Sequence, residues 1–154
     1  LVERERADDL AAGVLPGSPH RNDRFLGVHH RLDAHRVCAA LLQRDGLFAV
    51  VSKSLAAHSI EFIECGGIVS NPVLSKVREA IASARNNRVE AILSVGGGSV
   101  LDSAKAIAAG VLYQGDVWDL FIGKATIEAA LPVFDILTLA ATGSEMNSGS
   151  VGTN

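Results

Sequence analysis

Val89-Glu90-Ala91-Ile92-Leu93-Ser94-Val95, then Gly96-Gly97-Gly98, then Ser99-Val100-Leu101-Asp102-Ser103-Ala104-Lys105, is the stretch that decides the fold. The first seven residues are a nearly continuous apolar run, as expected for a central parallel strand covered on both faces. The three glycines interrupt it. From Ser99 the spacing predicts an amphipathic helix with Val100, Ala104, Ile107 and Val111 along one side. Glycines let a backbone approach a ligand with no Cβ in the way. The helix behind them offers unpaired N–H groups and about half a unit of positive charge at its start. A phosphate placed there is stabilised by both.

Working outward, residues 47–57 read as a helix, with Leu47, Val50, Val51, Ser54 and Leu55 sharing a face. Residues 60–64 alternate apolar and acidic side chains and predict a short strand. Cys65 to Asn71 read as a loop, with Asn71 as N-cap and Pro72 as the first residue of a helix over 72–87. A connecting stretch carries Trp118 and Gly123. Residues 133–139 (VFDILTL) supply another buried strand, with a polar turn from Ala140 to Glu145 at its carboxyl end. The order β-α-β-α-β predicts an α/β fold with a mostly parallel, doubly wound sheet and flanking helices. In such sheets ligands bind at the carboxyl edge of the strands, where the glycines fall.

Residues 1–35 read differently. Gly13, Pro16, Gly17, Ser18 and Pro19 break any regular element, and the segment is expected to be solvated and partly disordered. His20, His29, His30 and His35 lie in or near it, but nothing fixes them in a ligand geometry. The chain therefore divides into an unassigned 1–35 and a nucleotide-binding 36–154.

Composition narrows the function classes. The 154 residues are 48% hydrophobic and 20% charged, a globular balance sufficient for one domain with a core. With 14 basic against 17 acidic residues there is no basic surplus for nucleic acid. No apolar run reaches the ~20 residues of a membrane span, and the charged N-terminus lacks a signal-peptide core. Cys38 and Cys65 are too few and too far apart in sequence for a disulfide framework or a zinc knuckle, so a reduced, cytoplasmic setting is expected. A first residue of Leu1 rather than methionine points to a piece of a longer reading frame.

Generic motifs do not name the ligand. A P-loop requires Gly-Lys after its glycines, and the ordinary dinucleotide fingerprint requires a small residue where this chain has Leu101. The local alternative is an ordinary capped helix. Ser99 and Asp102 have capping-box spacing, and Lys105 is placed to pair with Asp102.

Three segments in order carry a family resemblance. Gly96 to Lys105 resembles the GGGSxxDxAK signature of iron-containing (group III) alcohol dehydrogenases. Gly67-Ile68-Val69-Ser70-Asn71-Pro72 looks like the family's GIxxNP loop, and Leu137 to Glu145 looks like its TxxxTGSE stretch. The wording is most similar to the branch of NADPH-dependent aldehyde reductases and butanol dehydrogenases. The resemblance runs from about residue 43 to the end. It implies a Rossmann-like cofactor domain that binds NADP or NAD. Gly97, Gly98 and Ser99 are then expected to hold the diphosphate, and Asp102 to lie near the ribose and nicotinamide. Asn71 is expected to face the cofactor. Thr138, with the backbone of Leu139 and Ala140, lines the adenosine or phosphate side, with Thr142 and Val151 nearby. Ser144 and Glu145 are matched to the motif with a structural role as open as ligand contact, and Lys105 is expected to be structural.

The resemblance also implies what lies elsewhere in such enzymes. An aspartate and three histidines of a second, helical half bind Fe²⁺ or Zn²⁺, and the metal polarises the oxygen of an alcohol or aldehyde during hydride transfer. Asn154 precedes any of them, so no catalytic residue and no metal ligand is assigned here, and the chain alone is expected to be inactive. A homodimer is expected, with no nucleic acid or membrane partner. Two departures stand out. The segment Arg36 to Gln43 lacks the glycine turn that the family carries after its first strand, and Ala140 replaces a proline usual in this branch. The first departure favours a rival reading, a non-catalytic or degenerate nucleotide-binding domain. Glycerol dehydrogenase and dehydroquinate synthase share the fold, but Ser99, Ala104-Lys105 and the TGSE wording argue against both.

Overall fold

The computed structural model describes residues 12–15, 35–41, 46–65, 73–139 and 143–153. Its centre is a four-stranded parallel sheet. Strand β2 (Arg36–Leu41), strand β3 (Glu61–Cys65), strand β4 (Ala91–Gly97) and strand β5 (Val133–Leu139) lie in the order β3-β2-β4-β5. A further antiparallel pair joins strand β1 (Ala12–Leu15) to strand β6 (Ser150–Thr153).

The strand order dictates where the helices go. Helix α1 (Leu47–Ala57) carries the chain from β2 outward to β3. Helix α2 (Leu74–Asn86) returns it across β2 to β4, and helices α3 (Gly98–Leu112) and α4 (Val117–Phe121) lead on to β5. Crossovers of one hand that reverse direction must change faces. The side chains alternate accordingly. Val37, Ala39, Ala91, Leu93 and Val95 pack with Val51, Leu47, Phe48 and Leu55 on the α1 face. Cys38, Ala40 and Ile92 pack with Val77, Ile81, Val100, Ala104 and Ile107 on the other. β4 is buried on both faces, as its apolar run predicts. The reversal also places the topological switch point of the sheet between β2 and β4.

Several expectations need correction. Gly96 and Gly97 do not end β4; both belong to it, and α3 starts at Gly98. α2 begins at Leu74 with Val73 as its N-cap, so Pro72 is not its first residue; Asn71 and Pro72 themselves lie outside the described residues. β5 has the expected limits but is not buried. Phe134, Ile136 and Leu139 are 41%, 38% and 66% exposed, because among the described residues β5 pairs only with β4 and α1 packs over the far side of the sheet. Gly13 does not prevent a strand at 12–15. Cys38 and Cys65 are joined as a disulfide, with Cα atoms 6.2 Å apart. Their separation of 27 residues is closed by the parallel pairing of β2 with β3, which sets Cys38 opposite Ile63, two residues from Cys65 on the same face. No helix among the described residues is long and apolar enough to cross a membrane.

Candidate functional site

The three glycines have distinct tasks. A Cβ on Gly96 would lie 2.6 Å from Val100 Cγ2, so this glycine lets the first turn of α3 pack directly on the strand that precedes it. Gly97 has φ −91° and ψ −171°, which any residue adopts, and among the described residues a Cβ there would meet only Leu139, at an ordinary 3.8 Å. Its bareness is not a packing necessity. Gly97, Gly98 and Ser99 are half-exposed at the carboxyl rim of β4, beside the switch point.

The neighbouring strand is irregular at the same level. Gly96 pairs with Leu137 but Gly97 pairs with Leu139, so β5 carries one extra residue, Thr138. Such bulges re-aim side chains. Thr138 and Leu139 are both exposed at this rim.

Helix α3 is not capped as its sequence predicts. Its N-cap is Gly97, and among the described residues no side-chain hydrogen bond caps the first turn. The capping-box role of Asp102 is therefore wrong. Its carboxylate turns to the final segment of the chain: Oδ1 accepts from Ser144 Oγ at 2.6 Å and Oδ2 accepts from the Val151 amide at 3.2 Å. The Asp102 carbonyl accepts from Ser150 Oγ at 2.7 Å. These bonds fix β6, with the half-exposed Val151, alongside α3. Thr153 of the same strand bridges to Val73, at the start of α2.

The expected Lys105–Asp102 pair is absent as well. The Lys105 ammonium donates to the carbonyls of Ser144 (2.6 Å), Asn147 (2.8 Å) and Gly149 (2.8 Å), with Ser144 Oγ at 2.8 Å and Asn147 Oδ1 at 3.4 Å. Burial pushes its pKa below the ordinary lysine value, opposed by the charges of Asp102, Glu145 and Asp135. Gly143, at φ 68°, turns the chain into this loop, and Ser144 is buried beneath it. Ser144 is therefore structural, and local helix spacing gave no sign of its partners some forty residues away.

Of the residues singled out from the sequence, Gly97, Gly98, Ser99, Thr138 and Leu139 gather at one rim. Asp102 and Val151 are bonded to each other on its flank. Asn71, Ala140 and Thr142 lie outside the described residues. Among those described, no group of three or more His, Cys, Asp or Glu is arranged to hold a metal ion. A concavity of about 480 Å³ lies at the opposite rim of the sheet, where β2 and β3 begin, lined by Arg36, Ile60, Glu61, Phe62, Ile63 and Asn87. Its cation is already spent: the Arg36 guanidinium donates to Glu61 at 2.6 Å and 2.9 Å and to the Asn87 carbonyl.

Comparison with known proteins bears on the family and the fold. Residues 29–154 match the family model described as iron-containing alcohol dehydrogenase. The chain is 49% identical over 113 residues to a probable NADH-dependent butanol dehydrogenase 2 of Bacillus subtilis, covering 73% of this chain and 29% of that protein. It is 40% identical over 99 residues to the NADPH-dependent aldehyde reductase YqhD of Escherichia coli, covering 62% of this chain and 26% of the relative. The crystal structure of NADH-dependent butanol dehydrogenase A from Thermotoga maritima superposes with a TM-score of 0.68 at 53% identity, over 71% of this chain and 29% of that one. The chain thus spans under a third of the length of these relatives. By its matched length and its glycine bend, the chain belongs to the iron-containing alcohol dehydrogenase family.

Proposed function

We propose that residues 36–154 form the dinucleotide-binding part of an NAD(P)-dependent alcohol dehydrogenase or aldehyde reductase. The single observation that carries the proposal is the uncapped, half-exposed start of α3 behind Gly97, at the switch point of a parallel sheet. Diphosphate oxygens suit this position because the free N–H groups and the helix dipole both favour an anion. In this reading the backbone of Gly97, Gly98 and Ser99 holds the diphosphate. Thr138, Leu139 and Ala140 line the adenosine or phosphate side, and Asn71, Asp102, Thr142 and Val151 border the remainder.

The bound nucleotide would accept or donate hydride, and this chain's own residues would bind and orient it. The Fe²⁺ of the family finds no cradle among the described residues. The substrate class is a small alcohol or aldehyde, in keeping with the names of the relatives. The enzyme would be a homodimer. The chain alone would bind nucleotide without turnover, which an assay of NAD(P)⁺ reduction with a short alcohol and added Fe²⁺ or Zn²⁺ checks.

Calorimetric titration with NADH and NADPH, comparing the protein with Gly97→Asp, tests the site. A Cβ at Gly97 makes only ordinary contact with the described residues, and the added carboxylate repels the diphosphate, so binding is expected to weaken by about tenfold or more. Unchanged affinity would show that the nucleotide sits elsewhere. Absence of binding in the unaltered protein would overturn the dinucleotide reading.

A further inference from the structure

We infer that Lys105 is a positioning residue for the dinucleotide site: its ammonium gathers the 143–149 loop and thereby holds β6, with Val151, beside the glycine bend. The inference rests on the dinucleotide reading proposed above and deepens it. Its basis is the geometry around Nζ. Three backbone carbonyls, one hydroxyl and one amide oxygen surround a group with three hydrogens to give. No carboxylate is among them, so this is a cation set in a ring of neutral dipoles, in the manner of a monovalent ion in a loop.

The loop is tied at both ends to the same two turns of α3. Ser144 Oγ accepts from Lys105 and donates to Asp102, whose second oxygen takes the Val151 amide. Lys105 and Asp102 therefore act on the loop together while making no direct pair. Three carbonyls left facing a half-buried hole would lose their donors at once, and a group buried without a partner is costly. The loop would then be expected to swing toward water and carry Val151 with it. An arginine cannot substitute, because its planar fork does not converge on a compact ring of oxygens.

The test uses Lys105→Ala, with Lys105→Met as a second variant that keeps the aliphatic stem packed. Both are titrated with NADH and NADPH, and amide hydrogen exchange of residues 143–151 is followed without nucleotide. Nucleotide affinity is expected to fall by about tenfold or more in both variants, and exchange of that segment to quicken while the amides of β2 and β4 keep their protection. n-Propylammonium, which replaces the atoms removed in Lys105→Ala, should restore a large part of the affinity in that variant; the neutral isostere 1-propanol should not.

Affinity equal to that of the unaltered protein, despite faster exchange in the loop, would overturn the positioning role alone. Unchanged exchange would overturn the clamp itself. Should the unaltered protein bind neither nucleotide, it is the dinucleotide reading that fails, and the positioning role falls with it.

Discussion

At the residue scale, the triglycine bend separates into positions with different physics. Gly96 is required by packing, whereas Gly97 is free of it, so their alanine variants should behave oppositely. Gly96→Ala forces a Cβ against Val100 and is expected to cost about 1–3 kcal/mol of stability, as overpacking does. Gly97→Ala should unfold at nearly the same denaturant concentration as the unaltered protein. Equal losses at both positions in denaturant titrations would contradict this division. The sequence marks the three glycines as one feature but cannot divide their roles, because the neighbour that does so is a side chain of the next helix. Asp102 and Lys105 teach a similar lesson. Their i, i+3 spacing is legible and invites a local pair, yet a loop some forty residues on offers better partners.

At the element scale, periodicity recovers what local contacts decide. The limits of α1 and β5 follow directly from residues 47–57 and 133–139. The exposure of β5 does not, since an apolar run reads the same on a central strand and an edge. Helix α4 is not legible in the sequence either. It is five residues long and depends on Asp116, whose carboxylate accepts from the Trp118 amide at 2.8 Å and from Arg78 at 2.8 Å and 3.0 Å.

The Arg78 hydrogen bonds hold the Asp116 carboxyl below its ordinary pKa. The unfolded chain therefore takes up the proton first, and the stabilisation is present at neutral pH and lost as pH falls through the folded value. Asp116→Ala is expected to cost about 1 kcal/mol near pH 7, mainly from the cap, since the half-exposed arginine pair adds little. Thermal midpoints of the two proteins should converge in acid, below the ordinary aspartate value of 3.8. A gap that stays constant with pH would show that the carboxylate charge contributes nothing.

At the scale of the whole molecule, strand order is what turns a glycine bend into a site. The β-α-β-α-β reading predicts a parallel sheet, but the switch between β2 and β4 arises from the return of the chain across β2, a tertiary choice. Other long-range pairings bring Cys38 to Cys65, through β2 and β3, and β1 to β6, neither of which sequence separation announces. The most direct measurement is a titration of the ¹⁵N-labelled protein with NADH and NADPH, followed by amide chemical shifts. The account predicts that the amides of Gly97, Gly98 and Ser99 move most, while Arg36, Glu61 and Asn87 at the opposite rim stay still. Saturating nucleotide that leaves those three amides unmoved, or moves the opposite rim instead, would contradict it.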